Sequence, residues 1–156
     1  MRGDPQVIEH LNEVLSSELT AINQYFVHFK LCANQGYGGL AKKKREESLE
    51  EMRHADAVID RILFLDGVPN MQRLFPVRVG ENPLEMNQVD LALEREAVER
   101  LRAGIRLCLE TGDAGTRELL EKILADEEGA IDWLETQASL AGDLGREHYL
   151  AQLVRA

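Results

Sequence analysis

The chain has 156 residues, of which 44% are apolar and 29% are charged, and its formal net charge is −10. This length suits one domain, residues 1–156, and the negative charge argues against binding nucleic-acid phosphates and favours cations as partners. Because no run of about 18 apolar residues and no apolar leader region occurs, we expect a cytoplasmic protein that neither spans a membrane nor carries a signal peptide.

Proline and glycine divide the chain into four predicted long helices. The first is predicted to begin at Asp4-Pro5 and the third at Asn82-Pro83, because an N-cap residue followed by proline is typical of a helix start. Glycine-containing breaks at residues 36–39 and 111–113 join helices one and two, and helices three and four, into antiparallel hairpins. Each helix carries an apolar stripe at spacings of three and four residues.

A connection of about 16 residues, Asp66 to Glu81, separates the two hairpins and is long enough to run the length of a bundle. Its apolar residues predict that it packs along the bundle surface in extended form. The fold that accommodates it is an all-α four-helix bundle with one long crossover, followed by a short last segment beyond Gly142.

Two local patterns are interpreted as structural. The basic run Lys42 to Arg45 is followed at once by Glu46 and Glu47, so we interpret it as a solvated helix start rather than a binding patch. Cys32 and Cys108 form no CxxC pair, and we predict that they are small core residues in a reducing compartment.

The remaining histidines and the tryptophan are weak candidates for metal-binding or catalytic residues. His10, His28 and His148 have no partner at ligand spacing on a stripe, so surface or packing roles are expected for them. Trp133 is predicted to anchor neighbouring helices. No nucleophile elbow, Walker or dinucleotide motif occurs, so neither nucleophilic nor phosphate chemistry has support.

The stripes are interrupted by glutamates at positions that should face the core: Glu18, Glu51, Glu94 and Glu127. Buried carboxylates are costly unless they are compensated, and His54 is the only other ionisable residue on these stripes, so we expect no lysine or arginine beside the glutamates. Two divalent cations offset four carboxylates, and glutamate oxygen with imidazole nitrogen suits iron or manganese, with zinc as an alternative. The pattern predicts a dinuclear metal site. The alternative is a bundle whose glutamates are protonated or solvated.

Several stretches of the chain resemble bacterioferritin. They are Met1 to Pro5, Glu18 to Phe26, Glu51 to Asp56, Arg61 to Gly67 and Ile131 to Gln137, and the similarity continues to Tyr149-Leu150. The resemblance implies a ferritin-like subunit of a hollow 24-subunit homo-oligomeric cage. Such a cage oxidises Fe(II) with O2 or H2O2 at a di-iron ferroxidase centre and stores the Fe(III) product as mineral. A fifth helix, about Leu144 to Val154, is implied beside the four-fold axes.

The resemblance also assigns roles to individual residues of the centre. Glu18 and His54 would bind one iron and Glu94 the other, while Glu51 and Glu127 would bridge the two. Tyr25, on the stripe of Glu18, would lie near the centre as a catalytic residue that donates an electron.

Met52 is assigned differently by spacing and by resemblance. Spacing favours an ordinary apolar contact, whereas the resemblance implies that two Met52 thioethers from a subunit pair bind one haem b. Met52 lies about 100° round the helix from Glu51. It is in line with Leu49, Ala55 and Ile59, which together with Leu19 and Phe26 would form an apolar dimer face.

Acidic residues also precede the centre on the second helix. Glu46, Glu47 and Glu50 are interpreted either as iron-collecting residues on the inner cage surface or as a plain solvated face. The sequence alone leaves both interpretations open.

Ala130 departs from the family pattern, which has the histidine of a second Glu-x-x-His at this position. The second iron would keep Glu94 and the bridging glutamates but lose its nitrogen ligand. We therefore expect an asymmetric centre with impaired ferroxidase activity. One alternative is a haem-binding structural subunit that co-assembles with a competent partner chain. A rubrerythrin-type peroxidase is disfavoured, because two separated cysteines cannot form the four-cysteine iron site of those proteins.

Overall fold

The computed structural model describes residues 1–155 and contains five α-helices. They are α1 (Pro5–Gln35), α2 (Gly38–Phe64), α3 (Pro83–Thr111), α4 (Ala114–Leu144) and α5 (Arg146–Gln152). No β-strand occurs within the described residues, and none of their helices is long and apolar enough to cross a membrane. The predicted all-α four-helix bundle with one long crossover and a short fifth helix is confirmed. The fifth helix begins at Arg146, two residues later than expected.

The ends of the long helices follow local chemistry. Asp4 accepts a hydrogen bond from the backbone N–H of Gln6 at 2.8 Å, and Asn82 accepts one from Glu85 at 3.1 Å. Both caps precede a proline in the first turn, as predicted. Gly36 has a φ of 91°, a left-handed conformation that glycine adopts without steric cost, and it turns the chain from α1 towards α2.

The apolar core is divided between the two ends of the bundle. One buried cluster includes Leu11, Val58, Leu101 and Leu120, one from each long helix. A second cluster joins Cys32, Leu40, Met86 and Tyr149, and it docks α5 against the bundle. The mid-helix glutamates lie between these clusters along the sequence. Cys32 and Cys108 are both buried and free, which confirms their prediction as core residues.

The crossover between α2 and α3 runs along α1 and is held by side chains of that helix. Thr20 Oγ1 accepts from the backbone N–H of Phe75, Gln24 Oε1 from Arg78 and His28 Nε2 from Gly80, at 2.9, 3.1 and 3.0 Å. Asn12 holds the start of the segment through Val68 and Asn70. These contacts hold the crossover on the bundle surface, where its apolar residues predicted it to pack.

Lys44 corrects the interpretation of the basic run as a solvated helix start. Its side chain is fully buried. Its Nζ lies 2.6 Å from Asp90 Oδ2 and 2.7 Å from Asn87 Oδ1. The prediction was wrong for this residue because Lys44 lies seven residues before Glu51, on the helix face that packs into the core. A buried lysine therefore does accompany the glutamates.

Candidate metal centre

The middle of the bundle contains the five side chains predicted as metal ligands. Glu18 comes from α1, Glu51 and His54 from α2, Glu94 from α3 and Glu127 from α4, and all five are buried. The helices bring them together because each occupies a core-facing position near the middle of its helix. The geometry thus joins residues that are more than 100 positions apart in sequence.

Four of the five residues form one compact cluster. Glu18, Glu51, His54 and Glu127 each place a ligand atom within 4.8 Å of all the others. His54 Nδ1 is 3.1 Å from Glu127 Oε1 and 3.5 Å from an oxygen of Glu18 and of Glu51. Because metal–ligand distances are about 2.0–2.2 Å, small contractions would fit this group around one divalent cation.

Several polar atoms of the centre have no hydrogen-bond partner. They are Glu18 Oε2, both carboxylate oxygens of Glu51, His54 Nδ1, Glu94 Oε2 and Glu127 Oε2. Buried polar atoms are almost always satisfied in folded proteins, and leaving them bare is costly. Divalent cations would satisfy these atoms, and the oxygen and imidazole donors suit iron or manganese. The side chains therefore fit a metal centre.

Burial and mutual repulsion raise the pKa values of the carboxyl groups. Burial, followed by the charge of Glu127, raises the pKa of Glu18 to about 7. Burial, with the charge of Glu51, raises the pKa of Glu127 to about 8. The pKa values of Glu51 and Glu94 lie well above the ordinary range, with burial as the main cause. Without a metal, protons partly replace the missing positive charge.

His54 is the cationic counterpart of this carboxylate cluster. Burial alone would lower the pKa of the imidazole, but the nearby carboxylates of Glu127, Glu18 and Glu51 outweigh burial and raise it. The opposite ring nitrogen, Nε2, is 2.9 Å from Asp126 Oδ2. The imidazole therefore spans from the buried cluster to a partly exposed carboxylate.

Glu94 and Tyr25 lie beside the compact cluster. The Tyr25 hydroxyl donates a hydrogen bond to Glu94 Oε1 at 3.0 Å. Burial, followed by the negative charge of Glu94, raises the pKa of Tyr25 well above its usual range. The geometry places the tyrosine against the one glutamate that the four-residue cluster does not include.

Ala130 lies one helical turn after Glu127 and brings no nitrogen or oxygen to the centre. It borders an open cavity of about 500 Å³ whose walls also include Glu46, Glu47, Glu50 and Asp126. Helices α2 and α4 therefore contribute unequally to the centre. Helix α2 provides a glutamate and, one turn later, a histidine. Helix α4 provides a glutamate, and one turn later its alanine borders an acidic cavity.

Met52 points away from this centre. Its side chain is 51% exposed and belongs to the large exposed apolar residues of the surface, as does Phe26. Leu19 and Ile59 are partly buried and pack against the core beneath that surface. The exposed thioether of Met52 fits the kind of sulfur donor that a haem iron would need at this surface.

A second buried polar group lies next to Tyr25 and was not predicted from the sequence. Asp90 contacts His28 at 2.9 Å and Lys44 at 2.6 Å, and Lys44 Nζ lies 5.6 Å from the centre of the Tyr25 ring. Burial alone would raise the pKa of Asp90, but Lys44 and His28 lower it. The available signal was spacing, because Asp90 lies four residues before Glu94.

The fold and its buried carboxylate–histidine centre define a ferritin-like protein, and residues 8–141 match the family model described as a ferritin-like domain. The chain is 55% identical to the bacterioferritin of Mycobacterium leprae, covering 99% of this chain and 97% of that protein. It is 54% identical to the bacterioferritin of Streptomyces coelicolor, over 99% of this chain and 92% of the relative. The Rhodobacter capsulatus bacterioferritin is 51% identical over 96% of this chain. The chain belongs to the bacterioferritin family, which confirms the resemblance seen in its sequence.

Proposed function

We propose that this chain is an iron-storage subunit that oxidises Fe(II) at the buried carboxylate–histidine centre and delivers Fe(III) to a mineral inside a 24-subunit cage. Membership of the bacterioferritin family supports the iron-storage role. The observation that carries the proposal is the convergence of buried carboxylate and imidazole atoms without hydrogen-bond partners. Iron is the substrate, and O2 or H2O2 is the oxidant.

The two iron positions are unequal in this proposal. One Fe(II) binds Glu18 and His54, with Glu51 and Glu127 as bridging ligands, since these four residues form the compact cluster. The second Fe(II) binds Glu94 and the same bridges. It binds weakly, because Ala130 provides no nitrogen and water must complete its coordination.

Tyr25 supplies an extra electron in this mechanism. Its hydroxyl donates to Glu94 at 3.0 Å. When the ring loses one electron to O2 or H2O2, the phenolic proton moves to the Glu94 carboxylate, so no buried positive charge is left on the tyrosine. The oxidant keeps the electron, and Glu94 returns the proton to the tyrosyl oxygen when an electron from Fe(II) reduces the ring again.

The apolar face around Met52 would join two subunits of the cage. Two copies of this face, one from each subunit of a pair, would enclose a haem b between their Met52 sulfur atoms. Such a haem would supply a one-electron relay between the outside of the cage and the stored iron. Phe26, an exposed apolar residue that the sequence assigns to the same face, would gain an apolar environment in this arrangement.

Anaerobic Fe(II) titration of the metal-free protein, followed by addition of O2 or H2O2, tests the iron chemistry. We expect one tightly bound Fe(II) per subunit, a second that binds at least about 10-fold more weakly, and slow oxidation. Two tightly bound irons per subunit with fast oxidation would contradict the unequal centre. Absence of any Fe(II) binding that depends on Glu18 and His54 would contradict the centre itself.

A haem-binding structural subunit is the second candidate function, and the pairing of Ala130 with an exposed Met52 favours it. In this case the chain would join a ferroxidase-competent bacterioferritin chain in a mixed cage. Native mass spectrometry of the purified chain distinguishes the two functions. Pure 24-subunit cages that mineralise iron unaided contradict the structural role.

A further inference from the structure

Asp126 and Glu127 are consecutive residues of α4 that contact opposite edges of the His54 ring. Asp126 Oδ2 lies 2.9 Å from Nε2, and Glu127 Oε1 lies 3.1 Å from Nδ1. We propose that Asp126 is a positioning residue that accepts the Nε2–H of His54 and so holds Nδ1 towards the metal cluster. This inference rests on the proposed function, because it concerns the filling of the same centre.

The chemistry of imidazole explains why this contact is useful. A histidine that binds a metal offers a lone pair from one ring nitrogen, and the other nitrogen keeps its hydrogen. An acceptor at Nε2 therefore reserves Nδ1 for the metal. In this structure Nδ1 is buried, faces Glu18 and Glu51, and has no hydrogen-bond partner. The ring is thus oriented for binding before a metal arrives.

Asp126 is a better acceptor than its neighbour Glu50. Glu50 Oε1 lies 3.4 Å from His54 Nε2, and its other oxygen is held by Arg53 at 2.7 Å. Asp126 is closer, and its side chain is 51% exposed, so the carboxylate keeps contact with water. The shorter distance assigns the Nε2–H to Asp126.

The same three residues could instead hold a cation on the cavity side of the ring. Glu50, His54 and Asp126 each have a ligand atom within 4.8 Å of the others. The two uses exclude each other, because an Nε2 that donates its hydrogen has no lone pair for a metal. The buried and unpartnered Nδ1 favours the positioning role, and variants at Asp126 separate the two.

Titration of the metal-free, full-length protein with Co(II), followed by visible absorption, measures filling of the buried centre. Asp126→Ala removes the acceptor and should raise the Kd for Co(II) about 10- to 100-fold. Asp126→Asn keeps an oxygen that accepts the Nε2–H, so it should raise the Kd clearly less. Glu128→Ala is the matched control, since it removes an exposed carboxylate on the other side of Glu127 and should change the Kd by no more than about twofold.

Two outcomes of the Co(II) titration would overturn the positioning role. One is an unchanged Kd in Asp126→Ala; the other is equal weakening in Asp126→Asn and Asp126→Ala, which assigns the effect to charge or to direct ligation. Metal-free crystal structures add a readout that needs no metal. The His54 ring should rotate or become disordered in Asp126→Ala, and a ring that keeps its orientation contradicts the proposal. A wild-type protein that binds no Co(II) at the centre would instead contradict the proposed function.

Discussion

At the residue scale, Ala130 decides how far the two metal positions differ. Replacing Ala130 with histidine puts an imidazole three residues after Glu127, and the adjoining cavity of about 500 Å³ leaves room for the ring. We expect the second Fe(II) to bind at least about 10-fold more tightly, since a direct ligand should be worth at least as much as an outer contact. Oxidation should become faster in stopped-flow measurements.

Ala125→His is the control for this variant. It adds an imidazole to the wall of the same cavity, two residues before Glu127, without completing a Glu-x-x-His pair. If Ala125→His accelerates oxidation as much as Ala130→His, a general gain in iron capture explains the effect and the missing-ligand account is wrong.

Met52 provides a separate test, because its side chain is exposed and makes no contribution to the buried centre. Met52→Leu keeps the apolar face but removes the sulfur, so haem should be lost while Co(II) binding and helix content stay unchanged. Met71→Leu is matched in exposure, at 53% against 51%, and should retain haem. The haem absorption band of the purified proteins is the measurement, and a band that survives in Met52→Leu refutes the assignment.

At the element scale, the Lys44–Asp90 pair ties α2 to α3 beneath Tyr25. Lys44→Met would leave the Asp90 carboxylate buried without its cation, and breaking a buried pair from one side typically costs about 3–5 kcal/mol. Lys43→Met removes the neighbouring charge, which is only partly buried and whose partner Glu47 lies 2.9 Å away. Because ion pairs that keep contact with water contribute much less than buried ones, this control should lower stability clearly less.

Chemical unfolding followed by circular dichroism measures both variants. Similar stabilities for Lys44→Met and Lys43→Met would show that the buried pair contributes nothing beyond a surface charge. The double variant Lys44→Met with Asp90→Asn should recover part of the loss, because it removes the unpaired carboxylate.

The same pair shows how far the sequence predicts the fold and the centre. Apolar periodicity predicts the helices because each helix buries one face. Glu18 can be predicted as a site residue because its carboxylate interrupts the apolar face of its helix. The burial of Lys44 was not predicted, because the residue belongs to a basic run. Only its position on the helix relative to Glu51 distinguishes it from Lys43. Its partner Asp90 belongs to another hairpin, and single-helix periodicity does not pair residues across helices. Asp126 was missed for the same reason, since its contact with His54 depends on how α2 and α4 pack.

At the scale of the whole molecule, the carboxylate cluster makes the stability of the metal-free protein depend on pH. The pKa of Glu18 is about 7 and that of Glu127 about 8 in the folded state, against 4.5 in the unfolded chain. At a pH between 4.5 and these folded-state pKa values, the folded chain keeps protons that the unfolded chain has released. The free energy of unfolding therefore falls as the pH rises through this range. The raised pKa of His54 acts in the same direction above its unfolded value of 6.5.

We therefore expect the Tm of the metal-free protein to be lower at pH 8 than at pH 5, at constant subunit concentration. Each pKa unit corresponds to about 1.4 kcal/mol, and each kcal/mol to about 2–4 °C for a chain of this size. Co(II) should abolish most of this decline, because the metal takes the place of the protons and leaves the carboxylates ionised. The lowered pKa of Asp90 does not oppose the trend, since its contribution is lost only when the pH falls below about 4.

The double variant with glutamine at both Glu18 and Glu127 tests whether the fall in Tm with pH arises in the carboxylate cluster. The double variant removes two of the groups whose pKa is raised, so its Tm should decline less between pH 5 and pH 8 than that of the wild type. Glu121→Gln, an exposed position on the same helix as Glu127, should leave the decline unchanged. A metal-free wild-type protein whose Tm rises steadily over this range would contradict the protonated centre. Its four core glutamates would then be compensated without protons or metal.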